Sequence, residues 1–197
     1  MIKNKNITAV GLSGTIMLTV IALVNKEITV FYMLYLFWWQ ALIEIFAKMI
    51  REYRITQSFS KAYALGRPSF PIMAGYWIFI VVLFGFAFSF SNYDLFAINA
   101  EVLMFRNIPF ALNIALTIIL VAINSRSNSE EKILNFGIFS PKMIILHVSI
   151  ILGSFVHFGV KHYYPDSFEN SIYPYLFSAI PFLLLRTYFD YKMMENH

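Results

Sequence analysis

A chain of 197 residues that is 59% hydrophobic and 13% charged departs strongly from a soluble domain, in which charged residues make up about a quarter. With no cysteine it has no disulfide framework, zinc-thiolate site or thiol nucleophile. The net charge of +4 does not form a basic stripe with interleaved exposed aromatics, so no nucleic-acid partner is expected. The cations sit between apolar runs, where a membrane explanation comes first.

In chain order, the start MIKNKNITAVGLSGTIMLTVIALVNKE has the positive-then-apolar order of a signal peptide. It lacks a small-x-small cleavage site and reads as a retained first span. Six runs meet or approach the roughly 20 apolar residues needed to cross about 30 Å of hydrocarbon. They are Ile7–Val24, Ile28–Ile50, Pro71–Phe90, Pro109–Ile123, Pro141–Val160 and Ile172–Tyr191. The expected fold is therefore all-α, an integral membrane helical bundle of six transmembrane helices in a single domain. Only Asn25, Lys26 and Glu27 join the first two spans, which predicts a tight antiparallel hairpin. The segment Glu52–Phe70 reads as a polar connection with a Gly-Arg-Pro breaker at Gly66–Pro68, and Asn124–Lys132 as a charged loop. The fourth span is short; it either begins inside Leu95–Phe105 or is preceded there by an amphipathic helix along the interface. No internal repeat supports an inverted-repeat transporter.

Lys and Arg alternate sharply between connections. Lys3, Lys5, Lys48, Arg51, Arg54, Lys61, Arg67, Arg126, Lys132, Lys142, Arg186 and Lys192 fall on one side, and only Lys26, Arg106 and Lys161 on the other. The positive-inside rule then puts both termini in the cytoplasm, in a multi-pass protein of the cell (cytoplasmic) membrane.

The second span carries a carboxylate, Glu44, about two turns inside the hydrocarbon, where it is costly without a partner. At 1.5 Å per residue, Glu44, His147 of the fifth span and Arg186 of the sixth all fall about 6–7 Å to the cytoplasmic side of their span midpoints. A Glu44–Arg186 pair with His147 as third member would satisfy all three. A purely structural pairing, Glu44 with Lys48 and Arg186 with Asp190 on their own helices, accounts for the same residues. Trp38 and Trp39 lie too deep for an interfacial belt, so an indole N–H needs an internal partner, for which Gln40 is a candidate. Asn113 and Thr117 suit interhelical hydrogen bonds. His157 and His162 read as interfacial, no metal or cofactor site is expected, and hydrolase, zinc-protease, P-loop and dinucleotide motifs are absent.

Three segments, LFWWQALIEIFAKM (Leu36–Met49), SPKMIILHVSIILGSF (Ser140–Phe155) and LLLRTYFDYKMMENH (Leu183–His197), together resemble a family of small bacterial and archaeal membrane proteins known only as a domain of unknown function. The matching positions are Phe37–Trp38, Leu146–His147 with Gly153, and Arg186–Thr187 with Asp190. The resemblance implies that His147, Arg186 and Asp190 belong to a common pattern, and it implies no activity. In two places the chain departs from that pattern: Gln40 stands where an acid is expected, and no histidine occurs between Phe70 and Phe90.

The functional expectation is a carrier or channel-like component for a small solute or ion, with Glu44 and His147 as relay or gating groups and Arg186 as counter-charge. The alternatives are a membrane-embedded enzyme acting on a lipid or lipid-linked substrate, with His147 as base and Arg186 or Lys48 near a headgroup phosphate, and a structural subunit of a membrane complex. Expected partners are the lipid bilayer, a small solute, ion or lipid, and further copies or subunits.

Overall fold

The computed structural model describes residues 2–90 and 92–126 and, beyond them, His147, Val148, Ile151, Phe155, Gly159, Tyr163 and Leu184. Among the described residues every regular element is helical. In order these are α1 (Ile2–Val24), α2 (Val30–Thr56), α3 (Phe59–Gly66), a 3₁₀ turn (Arg67–Ser69), α4 (Phe70–Phe79), a π-helical segment (Ile80–Ala87), α5 (Tyr93–Leu103) and α6 (Ile108–Arg126). Three stretches are long and apolar enough to cross a membrane: Val30–Thr56, Phe59–Ala87 and Tyr93–Ile123. The last is interrupted by the turn between α5 and α6. A further apolar stretch, Ser13–Val24, lies in α1. The expected spans Pro141–Val160 and Ile172–Tyr191 lie outside the described residues except for the single positions named above.

Helix α2 is the axis. Eight consecutive residues, Phe31 to Trp38, are buried. A helix buried all round must have neighbours on every side. Phe46 meets Phe70 and Phe31 meets Gly85, so the α4–π stretch runs antiparallel to α2. Tyr32 meets Phe110 and Gln40 meets Thr117, so α6 runs parallel to α2. Gly11 faces Leu120 and Gly14 faces Leu116, so α1 lies antiparallel against α6.

Two features correct the expectations drawn from sequence. Gly66–Pro68 does not break the chain: helical structure is continuous from Phe59 to Ala87, with a 3₁₀ turn at Arg67–Ser69. Pro68 and Pro71 each occupy the first positions of a helical segment, where the missing N–H is not needed. The polar connection therefore shrinks to Gln57 and Ser58, and α3 folds back on α2 through the small residues Ala62 and Gly66. A Cβ at Gly66 would run into the Met49 side chain. The other correction concerns the first two spans: among the described residues α1 packs chiefly against α6 and not against α2, so Asn25–Glu27 does not close the tight hairpin expected from its length. Leu95–Phe105 falls within the apolar stretch Tyr93–Ile123. It lies mostly in a separate helix, α5, which packs against the π-helical segment.

Three of the turns are closed by left-handed residues that are not glycine: Lys26 (φ 62°), Gln57 (φ 49°) and Phe105 (φ 58°). After α1, Glu27 N–H donates to Ala22 C=O and Lys26 N–H to Leu23 C=O, the paired bonds of a Schellman cap. The same pair recurs after α5, from Arg106 to Glu101 and from Phe105 to Val102. A bulky side chain in the left-handed region costs about 1 kcal/mol or more and persists where the surroundings over-determine it. Around Phe105 they do: its ring lies 5.3 Å from Trp39, 5.5 Å from Phe110 and 6.4 Å from Tyr35, centroid to centroid.

The two contributions at Phe105 are separable by mutation. Phe105→Ala loses the ring contacts and keeps the backbone strain, whereas Phe105→Gly loses the same contacts and relieves it. The glycine variant is expected to be about 1 kcal/mol more stable than the alanine variant in reversible detergent-denaturant unfolding. Equal stabilities would show that the left-handed backbone carries no strain.

Candidate functional site

Polar groups inside the bundle form two sets, one near the N-terminus of α2 and one near its middle. Near its N-terminus the set is structural in character. Thr29 caps α2 by accepting from Tyr32 N–H at 3.0 Å, and its hydroxyl donates to Asn99 Oδ1 at 2.8 Å. Asn99, only 2% exposed, donates in turn to Phe84 C=O at 3.0 Å and Gly85 C=O at 3.3 Å. Those carbonyls belong to the π-helical segment, whose i to i−5 pattern continues in the bond from Phe88 N–H to Leu83 C=O. Ser89 adds a hydroxyl donated to Gly85 C=O at 2.6 Å. One amide on α5 thus ties the start of α2 to a wide turn of a third helix, where a π-helix exposes carbonyls that an apolar setting cannot solvate.

Asn107 plays a similar part. Its Oδ1 accepts from Phe110 N–H at the start of α6 and its Nδ2 donates to Glu27 C=O at 3.3 Å. The order Asn-Ile-Pro at residues 107–109 is a helix-start signal that could have been found from sequence. Asn99 carries no such signal, because a lone amide in an apolar run does not reveal its partner.

Along the α2–α6 seam, Asn113 Nδ2 donates to Tyr32 Oη at 3.1 Å and Gln40 Nε2 to Thr117 Oγ1 at 3.3 Å. Asn113 and Thr117 do join two helices, as their one-turn spacing predicts. Gln40 is not the partner of a tryptophan: Trp38 Nε1 donates to Met73 C=O at 2.8 Å instead. The reason is geometric, since Trp38 faces the α4–π stretch and Gln40 faces α6. Trp39 Nε1 and Asn113 Oδ1 are the two polar atoms of this seam that are buried without a hydrogen-bond partner among the described residues.

The second set lies near the middle of α2. His147 Nε2 is hydrogen-bonded to Tyr76 Oη of α4, and the two rings meet edge to face at 4.8 Å. The register set by the Phe46–Phe70 and Phe31–Gly85 contacts puts Tyr76 about level with Gln40 on α2, so that Glu44 is offset from it by about 6 Å along the helix axis. Glu44 is half-buried, and both it and Lys48 are engaged with partners. Arg186 and Asp190 lie outside the described residues, as do His157 and His162. Sequence reading found His147 and Glu44 but not Tyr76, because a tyrosine in an aromatic-rich span looks like packing.

Among the described residues no group of three His, Asp or Glu side chains could hold a metal ion. In the second set, a phenol and an imidazole in contact have both donor and acceptor capacity.

The amide at Asn99 gives the sharpest structural test. Asn99→Ala strands the Thr29 hydroxyl and removes the donor to two carbonyls, so a loss of about 2–4 kcal/mol is expected in reversible unfolding. Amide hydrogen exchange should at the same time accelerate at Phe88 and Ser89. An unchanged exchange pattern would mean that the π-helical segment does not depend on this residue.

The chain matches no family model, no curated protein and no solved structure, so its function has to be argued from the groups described above.

Proposed function

We propose that this chain is a multi-pass protein of the cell membrane, with six spans and both termini cytoplasmic, and that it acts as a carrier or channel-like component for a small solute or ion. Glu44 and His147 are its protonatable groups and Tyr76 is the partner that sets the imidazole's orientation. The observation that carries the reading is the Tyr76–His147 contact, which brings a titratable group of the fifth candidate span to the level of Gln40 on α2. Ionisable residues at membrane depth are costly and are a functional-site hypothesis by default. Proton binding at an imidazole held by a phenol changes the donor pattern of the pair, which is the kind of switch a coupled carrier uses.

One observation favours a second reading, an enzyme acting on a lipid or lipid-linked substrate with His147 as base. The pair is only half-buried, and its helical neighbours Ala74, Gly75, Trp77, Val148 and Ile151 are exposed. A site on the lipid-facing wall suits a substrate that arrives from the bilayer.

Reconstitution into vesicles containing a pH-sensitive dye, with a potassium diffusion potential as driving force, tests the first reading. The unsubstituted protein is expected to pass protons, and Glu44→Gln, His147→Gln and Tyr76→Phe to reduce flux toward that of protein-free vesicles. Flux equal to the protein-free level in the unsubstituted protein would overturn it. Turnover of vesicle phospholipid that disappears in His147→Gln would then establish the second reading, and absence of both would leave a structural subunit.

A further inference from the structure

We propose that the elbow formed by the end of α2 and by α3 is a binding surface for the headgroups of anionic phospholipids. The inference needs only that the chain sits in a bilayer and does not depend on the carrier reading.

One face of α3 is used up by packing, where Ala62 and Gly66 lie against α2. The rest is open. Phe59 is 71% exposed and Tyr63 45%, and their rings stack at 6.2 Å with an interplanar angle of 15°. On the end of α2, Ile50, Tyr53 and Ile55 are exposed, Ile55 to 72%. Left in water, these would be exposed apolar and aromatic side chains grouped around one elbow.

Interleaved with these groups are cations. Between residues 48 and 67 the chain carries Lys48, Arg51, Arg54, Lys61 and Arg67 against one acid, Glu52. Arg54, Lys61 and Arg67 are exposed, and no carboxylate is paired with any of them among the described residues. Arg54 also sits in the last turn of α2, where its charge complements the helix dipole.

A surface of stacked aromatics, aliphatics and unneutralised cations has the composition of an element lying at the boundary between acyl chains and headgroups. Charge complementarity selects the lipid. Zwitterionic headgroups offer a cation no net attraction, whereas an anionic leaflet attracts each basic residue near its surface. Helical geometry supports the fit: α2 has 27 residues, about 40 Å at 1.5 Å each, which exceeds the hydrocarbon thickness by roughly two turns. The excess carries the elbow to the headgroup level.

Because the chain has no cysteine, single labels can be placed in the full protein. Bimane on S60C, in α3, would be quenched in vesicles by phosphatidylglycerol or by phosphatidylcholine carrying a doxyl group close to the headgroup, at equal mole fraction. Phosphatidylglycerol is expected to quench several-fold more effectively, and Lys61→Gln alone to lower that preference by up to about fivefold. The triple variant Arg54→Gln/Lys61→Gln/Arg67→Gln should quench equally with both lipids while keeping its helical circular dichroism. Bimane on Y93C, at the start of α5 and near the opposite end of α2, should show no preference. Equal quenching at S60C by the two lipids in the otherwise unsubstituted protein, or a preference that survives in the folded triple variant, would overturn the proposal. So would efficient S60C cross-linking between copies with no lipid preference, which would assign the surface to self-association.

Discussion

The structure depends on one constraint: α2 is buried on every side over Phe31–Trp38, so polar groups near it have to be satisfied inside the bundle, and among the described residues of the α2–α6 seam only Trp39 Nε1 and Asn113 Oδ1 are not. In an apolar surround there is no water to satisfy a stray carbonyl or amide, and each failure costs several kcal/mol. The molecule meets this with short polar side chains that reach backbone atoms of other helices. Asn99 serves two carbonyls of the π-helical segment, Asn107 serves Glu27, and Trp38 uses Met73. These bonds fix the register between elements, because a shift of one residue would leave each donor facing carbon. Apolar packing alone would tolerate such a shift far better, since apolar side chains of similar size substitute for one another along a helix.

Glycine and the turns divide the work in a way that suits a membrane bundle. No described glycine has positive φ; the left-handed positions are held by Lys26, Gln57 and Phe105. Glycines are placed where helices approach closely instead, Gly11 against Leu120, Gly66 against Met49 and Gly85 against Phe31. Where surrounding lipid offers no hydrophobic gain for association, close backbone approach supplies the packing that holds helices together. The small backbone cost at the turns is offset by what their side chains do, most plainly at Phe105, whose ring closes an aromatic cluster of Tyr35, Trp39 and Phe110.

Much of this was legible in the sequence. Helical class and the central place of α2 follow from the apolar runs, whereas the short connection Asn25–Glu27 suggested a hairpin of α1 on α2 and α1 packs chiefly against α6 instead. Interhelical roles for Asn113 and Thr117 follow from their spacing. What could not be read is whatever depends on a partner distant in sequence. Gly66–Pro68 looks like a breaker because the propensities of Gly and Pro count against a helix, yet Pro at the head of a new helical segment is harmless. Asn99 and Tyr76 were missed for a shared reason: neither has a local signal, and each acquires meaning only when another helix brings up a carbonyl or an imidazole.

The polar groups at the start of α2 differ in kind from those near its middle. Around its N-terminus the hydrogen bonds run to backbone carbonyls, through side chains that do not titrate, and Thr29, Asn99 and Ser89 are almost fully buried. Such a network has one satisfied state, and any motion that opens it leaves several groups unpaired at once. Near the middle of α2 the groups are an acid, an imidazole and a phenol, side chains whose hydrogen-bonding pattern depends on protonation, and they are only half-buried. On the proposed carrier reading, a rearrangement linked to protonation would fall at this second set and leave the Thr29–Asn99 tie closed, because opening the tie would strand the Thr29 hydroxyl and two carbonyls at once.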